Sequence, residues 1–419
     1  MRKLTVKNFS VIKEAELEFG KITVLIGPQS SGKSLLCKLA FFFECRVPEM
    51  LRECLGKGTP LQVARDQIIE NFVSYFPEEG RQGQEFHVKY EVGSYYSVYI
   101  EILADIQTYS LIWNDSIEKH YTDVLQGKPL KPRKLSSDER RALMSGGDPG
   151  PLPIKSDSVY IPTGRDFFST PNRAFAALST KNLDWLTNRF ATEFDAEYQD
   201  LRESYQTNRT LLSSLGHHSI EMLNGKVVKE DGRLLFESIE DGKKRPFEIL
   251  SSGTLSLLPI LNILAQVAKD TGDPVHPNMP SPKIGVVFAE EPEISVFPET
   301  QYQFSKLIAL LAKSKLLWKC YAITTHSPYI LTAFNNLIEA GQAARNNPNL
   351  HDQVAKVIPE QYWIKEGDFK AYAIEDGKLK SILNESGFVE GNYLDQVSET
   401  IGDEFDRLIK LEYDHAKAS

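Results

Sequence analysis

From Leu4 to Phe9 apolar and polar residues alternate, and Ala15 to Phe19 repeats the pattern, so two half-buried strands open the chain. Ile22-Thr23-Val24-Leu25-Ile26 drops the alternation for a continuous apolar run, which predicts a central strand covered on both faces. A glycine-rich segment starts at Gly27. Beyond it Leu35, Leu36, Leu39, Ala40 and Phe43 fall on one helical face. Between Phe86 and Trp113 the alternation returns, with Val88, Tyr90 and Val92 and then Val98, Ile100 and Ile102. This predicts antiparallel hairpins with a turn near Val92-Gly93-Ser94.

Leu183, Leu186, Phe190, Phe194, Tyr198, Leu201 and Tyr205 recur every three or four residues and predict one long amphipathic helix. Ser252 to Lys269 predicts another, kinked at Pro259. Ile284 to Ala289 and Tyr321 to Thr325 are short apolar strands. Two stretches read as loops: Gln126 to Pro153, polar and carrying Lys128, Lys131, Arg133, Lys134, Arg140 and Arg141, and Thr271 to Pro282 with its four prolines. After Ala340 the pattern is a mixed αβ tail ending in an acidic amphipathic helix from Glu404 to Tyr413. No internal repeat is visible. The class is α/β, and the expected segments are an N-terminal lobe at 1–170, a helical lobe and hairpin at 171–248, a C-terminal lobe at 249–340 and a small tail at 341–419.

Composition narrows this picture a little. In 419 residues, 41% hydrophobic and 25% charged is the mix of a folded protein with a sizeable core. A formal net charge of −9 argues against nucleic-acid binding by bulk charge, though the basic stretch from Lys128 to Arg141 could still form a local patch. Cys37, Cys45, Cys54 and Cys320 form no C-x-x-C pair, so a zinc or redox clip is not expected, and free thiols suit a reducing cytoplasm. No apolar run is long enough to span a membrane, and Met1 to Lys7 lacks a signal-peptide core.

Four motifs carry chemistry. Gly27-Pro28-Gln29-Ser30-Ser31-Gly32-Lys33-Ser34 is a full G-x-x-x-x-G-K-S between a buried strand and a helix. Its glycines let successive N–H groups turn toward a phosphate, and the helix beginning near Leu35 aims its positive end at the same point. Lys33 would reach the β- and γ-phosphates of ATP, and Ser34 would ligate Mg²⁺. Ile284 to Ala289 then delivers Glu290-Glu291-Pro292-Glu293 at a strand's carboxyl end, where α/β sheets place ligands. Glu290 would hold the Mg²⁺ and Glu291 would accept a proton from the attacking water, although alone such a pair is often just a solvated loop. Ser251-Ser252-Gly253 opens a helix, with Ser252 the expected N-cap. His326, after Ile323-Thr324-Thr325, could donate to a γ-phosphate oxygen or could be a structural histidine.

The order of these motifs resembles the ABC-ATPase superfamily. It is most similar to bacterial stand-alone AAA family ATPases related to the OLD (overcoming-lysogenization-defect) ATPases and to RecF- and SMC-like heads. Leu4-Thr5-Val6-Lys7-Asn8-Phe9, Glu290-Glu291-Pro292-Glu293 with Phe297-Pro298-Glu299, and Tyr160-Ile161-Pro162 with Arg165 fit that group over residues 1 to 335. The resemblance implies an ATPase head with a mixed central sheet, an antiparallel β subdomain and a short helical lobe. It also implies a homodimer that sandwiches two ATP molecules, with Ser251, Ser252 and Gly253 of one chain facing the phosphate loop of the other. Lys33, Glu291 and His326 would be catalytic, with ATP and Mg²⁺ as ligands.

The sequence departs from the family pattern at Gln29 (usually Asn), Glu290 (more often Asp), Thr254 (usually Gln or Glu) and Ser295 (commonly His), none of which removes a charged catalytic group. Arg165 stands in the neighbourhood of the family's Mg²⁺-sensing glutamine. Val389-Glu390-Gly391 matches the opening of a Toprim nuclease, but no Asp-x-Asp follows, so Glu390 reads as surface and no intrinsic nuclease is expected. Two outputs suit the resemblance. One is ATP-driven sensing or clamping of DNA in phage defence or DNA repair. The other is a scaffold or sensor that holds and releases a separate effector protein without touching nucleic acid. A membrane-transporter motor fits least.

Overall fold

The unbroken apolar runs become strands with a packed layer on each side. In the computed structural model, Ile22–Ile26 (β3), Ile284–Glu290 (β11) and Trp318–Thr324 (β12) send alternate side chains into two different cores. Val24, Val287, Ala289 and Ile323 enter one, and Leu25, Val286, Phe288 and Ala322 enter the other. With both faces apolar, no alternation is left to read. The structure describes residues 2–77, 85–93, 96–103, 108–127, 158–169, 184–194, 197–208, 210–269, 284–314, 318–391 and 407. The basic stretch from Lys128 to Arg141, the proline-rich loop from Thr271 and the expected helix from Glu404 to Tyr413 lie outside them, Arg407 apart.

The remaining strands are Arg2–Phe9 (β1), Ile12–Phe19 (β2), Phe86–Val92 (β4), Tyr96–Leu103 (β5), Thr108–Trp113 (β6), Val159–Ile161 (β7), Gly225–Glu230 (β8), Arg233–Ser238 (β9), Lys244–Arg245 (β10), Phe369–Glu375 (β13) and Lys378–Ser381 (β14). Among the described residues one mixed sheet runs β6-β5-β4-β1-β2-β14-β13-β3-β12-β11-β7, and β10-β9-β8 form a second, antiparallel sheet. The expected α/β class with a mixed central sheet is what the chain adopts. The antiparallel strands β1, β2 and β4 to β6 are continuous with the central sheet. The hairpin β13-β14 joins the two halves: β13 pairs in parallel with β3, and β14 with β2. Residues from the N-terminal, C-terminal and tail segments thus share one sheet.

Helices cover the two faces. Lys33–Phe41 (α1) passes through a π-helical turn, Phe42–Arg46, into Val47–Gly56 (α2), followed by Leu61–Tyr75 (α3) and Asp115–Leu125 (α4). The far end of α1 is pinned by the buried Glu44, which accepts from Arg2 Nε at 3.0 Å and Tyr90 Oη at 2.6 Å. Removing either partner would strand a buried charge, so this contact holds α1 against β1 and β4. Trp185–Glu193 (α5) reaches both layers, with Trp185 stacked on Tyr75 of α3 and Phe190 in the other core. The other face carries Gln199–Gln206 (α6), Thr210–Leu223 (α7), Ser252–Lys269 (α8), Pro298–Lys313 (α9) and Pro328–Asn346 (α10), then the short His351–Val357 (α11).

The single long helix expected over Leu183 to Tyr205 is two helices. α5 ends where Phe194 turns extended, and Tyr198 has a left-handed backbone at φ 53°. Packing explains the break. Phe194 stacks on Phe190, Tyr198 stacks on Phe247, and Tyr198 Oη donates to the Ser169 carbonyl at 3.0 Å. A continuous helix would keep the apolar spacing and the Phe190–Phe194 pair but not the left-handed backbone from which Tyr198 reaches Phe247 and Ser169.

Candidate active site

Four parallel strands, β3, β12, β11 and β7, lie side by side, and their register decides what meets at their carboxyl edge. Leu25 is opposite Thr324, Thr324 opposite Glu290, and Ala289 opposite Ile161. The residues that follow each strand therefore emerge together: Gly27 after β3, Thr325 and His326 after β12, Glu291 after β11, and Pro162 after β7. Such an edge is where open α/β sheets collect ligands.

The phosphate loop begins at Gly27, with φ 154°, and ends at Gly32, with φ 106°. A side chain at Gly32 would collide with Ile12, in strand β2. Pro28, Gln29 and Ser30 are exposed, while Ser31 Oγ is buried and has no partner within the protein. Lys33, Ser34 and Leu35 form the first turn of α1. The Lys33 side chain is buried and donates to the carbonyls of Gly27 at 2.8 Å and Pro28 at 2.9 Å. Burial lowers its pKa from the ordinary value, against the pull of Glu291 and Glu293, which places those carboxylates within electrostatic reach of the ammonium.

Glu290 is buried, and one group within β7 and one just after it hold its carboxylate. Tyr160 Oη donates to Oε1 at 2.6 Å and the Thr163 N–H to Oε2 at 3.3 Å. Burial, with Glu290 and Cys37 nearby, pushes the Tyr160 phenol well above its usual range, so it stays a donor. Glu291 sits at φ 42°, an uncommon conformation for a residue with a side chain. Its N–H is fixed by the Thr324 carbonyl at 2.9 Å, and its Oε1 lies 3.4 Å from His326 Nε2. Strain retained at a turn carrying a carboxylate is common at working sites.

Glu293 has a larger part than its place in the motif conveyed. Its Oε1 accepts from Thr325 Oγ1 at 2.8 Å and from the His326 N–H at 2.6 Å, so it ties the histidine turn to the acidic turn. The available signal was a third carboxylate just past Pro292, in reach of a neighbouring strand end only if β11 and β12 are adjacent.

Ser251, Ser252 and Gly253 stand at the start of α8. The N-cap is Ser251 rather than the expected Ser252, because Ser251 Oγ accepts from the Thr254 N–H at 3.2 Å. Ser252 is the first helical residue and is exposed. A Cβ on Gly253 would stand 2.5 Å from the Ser295 carbonyl oxygen, so glycine is what allows the helix start to approach that loop. Ser251 is tied to Thr254 and, through its carbonyl, to the Leu255 N–H at 3.0 Å, and Gly253 stands against Ser295; none of these contacts is with residues 27–34.

Arg165 is not a ligand-sensing side chain at the mouth of the site. It is fully buried, and each of its five N–H donors meets an oxygen of the protein. Nε donates to the Ser256 carbonyl at 3.1 Å. Nη1 donates to the carbonyls of Pro162 at 3.1 Å and Glu290 at 2.7 Å. Nη2 donates to Ser256 Oγ at 3.1 Å and the Glu291 carbonyl at 2.9 Å. Burial brings its pKa down to about 10 against Glu293, Asp166, Glu290 and Glu291, and it remains charged at neutral pH.

Residues 164–331 match the family model described as AAA ATPase domain. The match spans Arg165, the start of α8, the Glu290-Glu291 turn and His326, and it begins after the phosphate loop. Together with the loop at residues 27–34 it supports an ATPase domain of the P-loop kind. No curated protein matches the sequence. Similar solved structures include the SMC head domain from Thermotoga maritima, with 13% identity over 91% of this chain and 98% of that one and a TM-score of 0.42. They also include an Smc head with an extended coiled coil bound to the C-terminal domain of ScpA, from Pyrococcus furiosus, with 12% identity over 91% and 96% and a TM-score of 0.37.

Proposed function

We propose that the chain binds ATP at Gly27–Leu35 and hydrolyses it within an ATP-dependent homodimer. The observation that supports this most is the strand register that gathers Lys33, Glu290, Glu291 and His326 at one sheet edge. The residues fit the ligands. The loop turns on two positive-φ glycines, one of which lies tight against the Ile12 side chain, and it carries a buried hydroxyl, Ser31 Oγ, without a protein partner. Lys33 can leave the carbonyls of its own loop for phosphate oxygens, a stronger charge-assisted pairing. Ser34 and Glu290 would hold Mg²⁺, which neutralises phosphate charge. Glu291 takes the proton of the attacking water, and His326 donates to a γ-phosphate oxygen.

The dimer reading rests on the surface around α8. Ile249, Phe297 and Tyr329 are 66%, 76% and 56% exposed. They flank the exposed Ser251-Ser252 pair, the Ser295 loop and His326, and Gln301 ties the loop before α9 to Ser327 at the start of α10. Exposed apolar side chains close in sequence to the exposed helix start, the Ser295 loop and His326 suit a face that another copy covers. In that dimer each α8 start meets the other chain's phosphate loop and adds positive potential there. Glu291→Gln tests the reading: with saturating ATP it should sediment as a stable dimer, and a variant that stays monomeric would remove the sandwich.

Nucleotide-driven closure can serve DNA sensing or clamping, in phage defence or DNA repair, or the holding and release of a separate effector protein. The net charge of −9 favours the protein output. DNA binding at low salt with a steep salt dependence would favour the first instead.

A further inference from the structure

We infer that Arg165 is a positioning residue that couples the two ATP sites of the dimer, because it fastens the hydrolytic turn that a chain contributes to one site onto the helix start that the same chain contributes to the other. The inference rests on the dimer reading above. Its physical basis is the guanidinium's set of partners. Glu290 and Glu291 offer their carbonyls from the acidic turn, Pro162 offers one from the segment that holds the Glu290 carboxylate, and Ser256 offers both its carbonyl and its hydroxyl from the first turns of α8. Ser256 lies one helical turn beyond Ser252.

Three features make this a rigid link. The guanidinium is planar, so the acceptors on the two sides are held at fixed separation. It is fully buried, so water does not compete for them. A second tie runs alongside: Ser169 Oγ donates to the Leu255 carbonyl. Moving α8 away from the Glu290-Glu291 turn would expose several carbonyls to an apolar interior without donors, which is costly. The smaller-cost motion carries the turn and the helix start together. When one site closes on nucleotide and shifts its α8 start, the shift reaches Glu291 of the same chain, which serves the other nucleotide. Arg165 therefore has a role in catalysis without touching ATP.

The test uses the full chain with ATP and two variants. Arg165→Lys keeps the charge and loses the fork. Ser256→Ala removes a single acceptor from the α8 side and is the gentler change if the lysine variant fails to fold. Steady-state ATPase rates as a function of ATP give kcat, KM and the Hill coefficient. Nucleotide affinity is measured separately on dilute protein with a fluorescent ATP analogue, and melting controls for folding.

The expected result is a Hill coefficient falling from about 2 toward about 1 and kcat falling by about tenfold, with nucleotide affinity within about twofold of the unaltered chain. Ser256→Ala should shift both in the same direction by less. A variant that loses rate but keeps the unaltered Hill coefficient would overturn the coupling role and make Arg165 a local prop. An unaltered chain that dimerises with ATP yet shows a Hill coefficient of 1 would overturn the inference and leave the dimer standing. A Glu291→Gln chain that stays monomeric with ATP would remove both.

Discussion

Glu291 Oε1 lies 3.4 Å from His326 Nε2, and each residue is held by the segment that carries the other. Glu291 is fixed through its N–H to Thr324, and His326 through its N–H to Glu293. Glu293 thus sets the position of a side chain 33 residues away on another strand end. Glu293→Ala is expected to lower kcat by about tenfold by letting the histidine turn wander, while KM for ATP changes by less than about threefold. Steady-state kinetics checks this, and an unchanged kcat would detach the turn from the chemistry.

The two serines before Gly253 should separate cleanly. Ser251 caps α8, so Ser251→Ala should cost about 1 kcal/mol of stability in urea unfolding. Ser252 is exposed and is not the cap, so Ser252→Ala should stay within about 0.5 kcal/mol. Under the proposed dimer, in which this hydroxyl would face the other chain's nucleotide, the substitution should nevertheless cut ATP turnover. The opposite ranking would exchange the two roles.

Tyr160 is the closest donor to Glu290, at 2.6 Å. Tyr160→Phe leaves one buried carboxylate oxygen short of a partner and should cost about 1–3 kcal/mol. With the carboxylate less firmly held, more Mg²⁺ should be needed for half-maximal turnover. A titration of rate against Mg²⁺ at fixed ATP reads the shift; no shift would mean that the phenol supports the fold alone.

Acid should loosen the contact between α2 and α5. Arg189 grips both oxygens of Glu49, at 2.8 Å each. Burial raises the Glu49 pKa, but the Arg189 bonds and charge, with Cys45 and Arg46, outweigh it and leave the carboxyl below its ordinary value. For a carboxylate depressed in the folded state, the stabilisation is fully present above the unfolded pKa of about 4.3 and is lost as pH falls through the folded value. The stability difference between the unaltered chain and Glu49→Gln should therefore be constant near neutrality and shrink below about pH 4. Urea midpoints across that range measure it, and a pH-independent difference would contradict the ion-pair account.

The chain's local chemistry was enough to identify the loop from Gly27 to Ser34, the buried strands β3, β11 and β12, the hairpins of β4 to β6 and the carboxylates at Glu290 and Glu291. Each depends on neighbours in sequence: glycines that permit a turn, apolar runs too continuous for one covered face, and charges just past a strand. Tertiary structure decided the rest. Apolar periodicity records which side chains are buried, so it could not show that one helix ends at Phe194 and the next begins after Tyr198, whose ring packs on Phe247. Asp376-Gly377 is a local signal for the β13-β14 hairpin, but nothing near Phe369–Glu375 in sequence reveals that its other neighbour is β3, a partner hundreds of residues away. Arg165 is a residue that sequence places near the site but cannot orient. Its five acceptors come from three separated segments, and only their convergence in a buried interior turns a charged side chain into part of the frame.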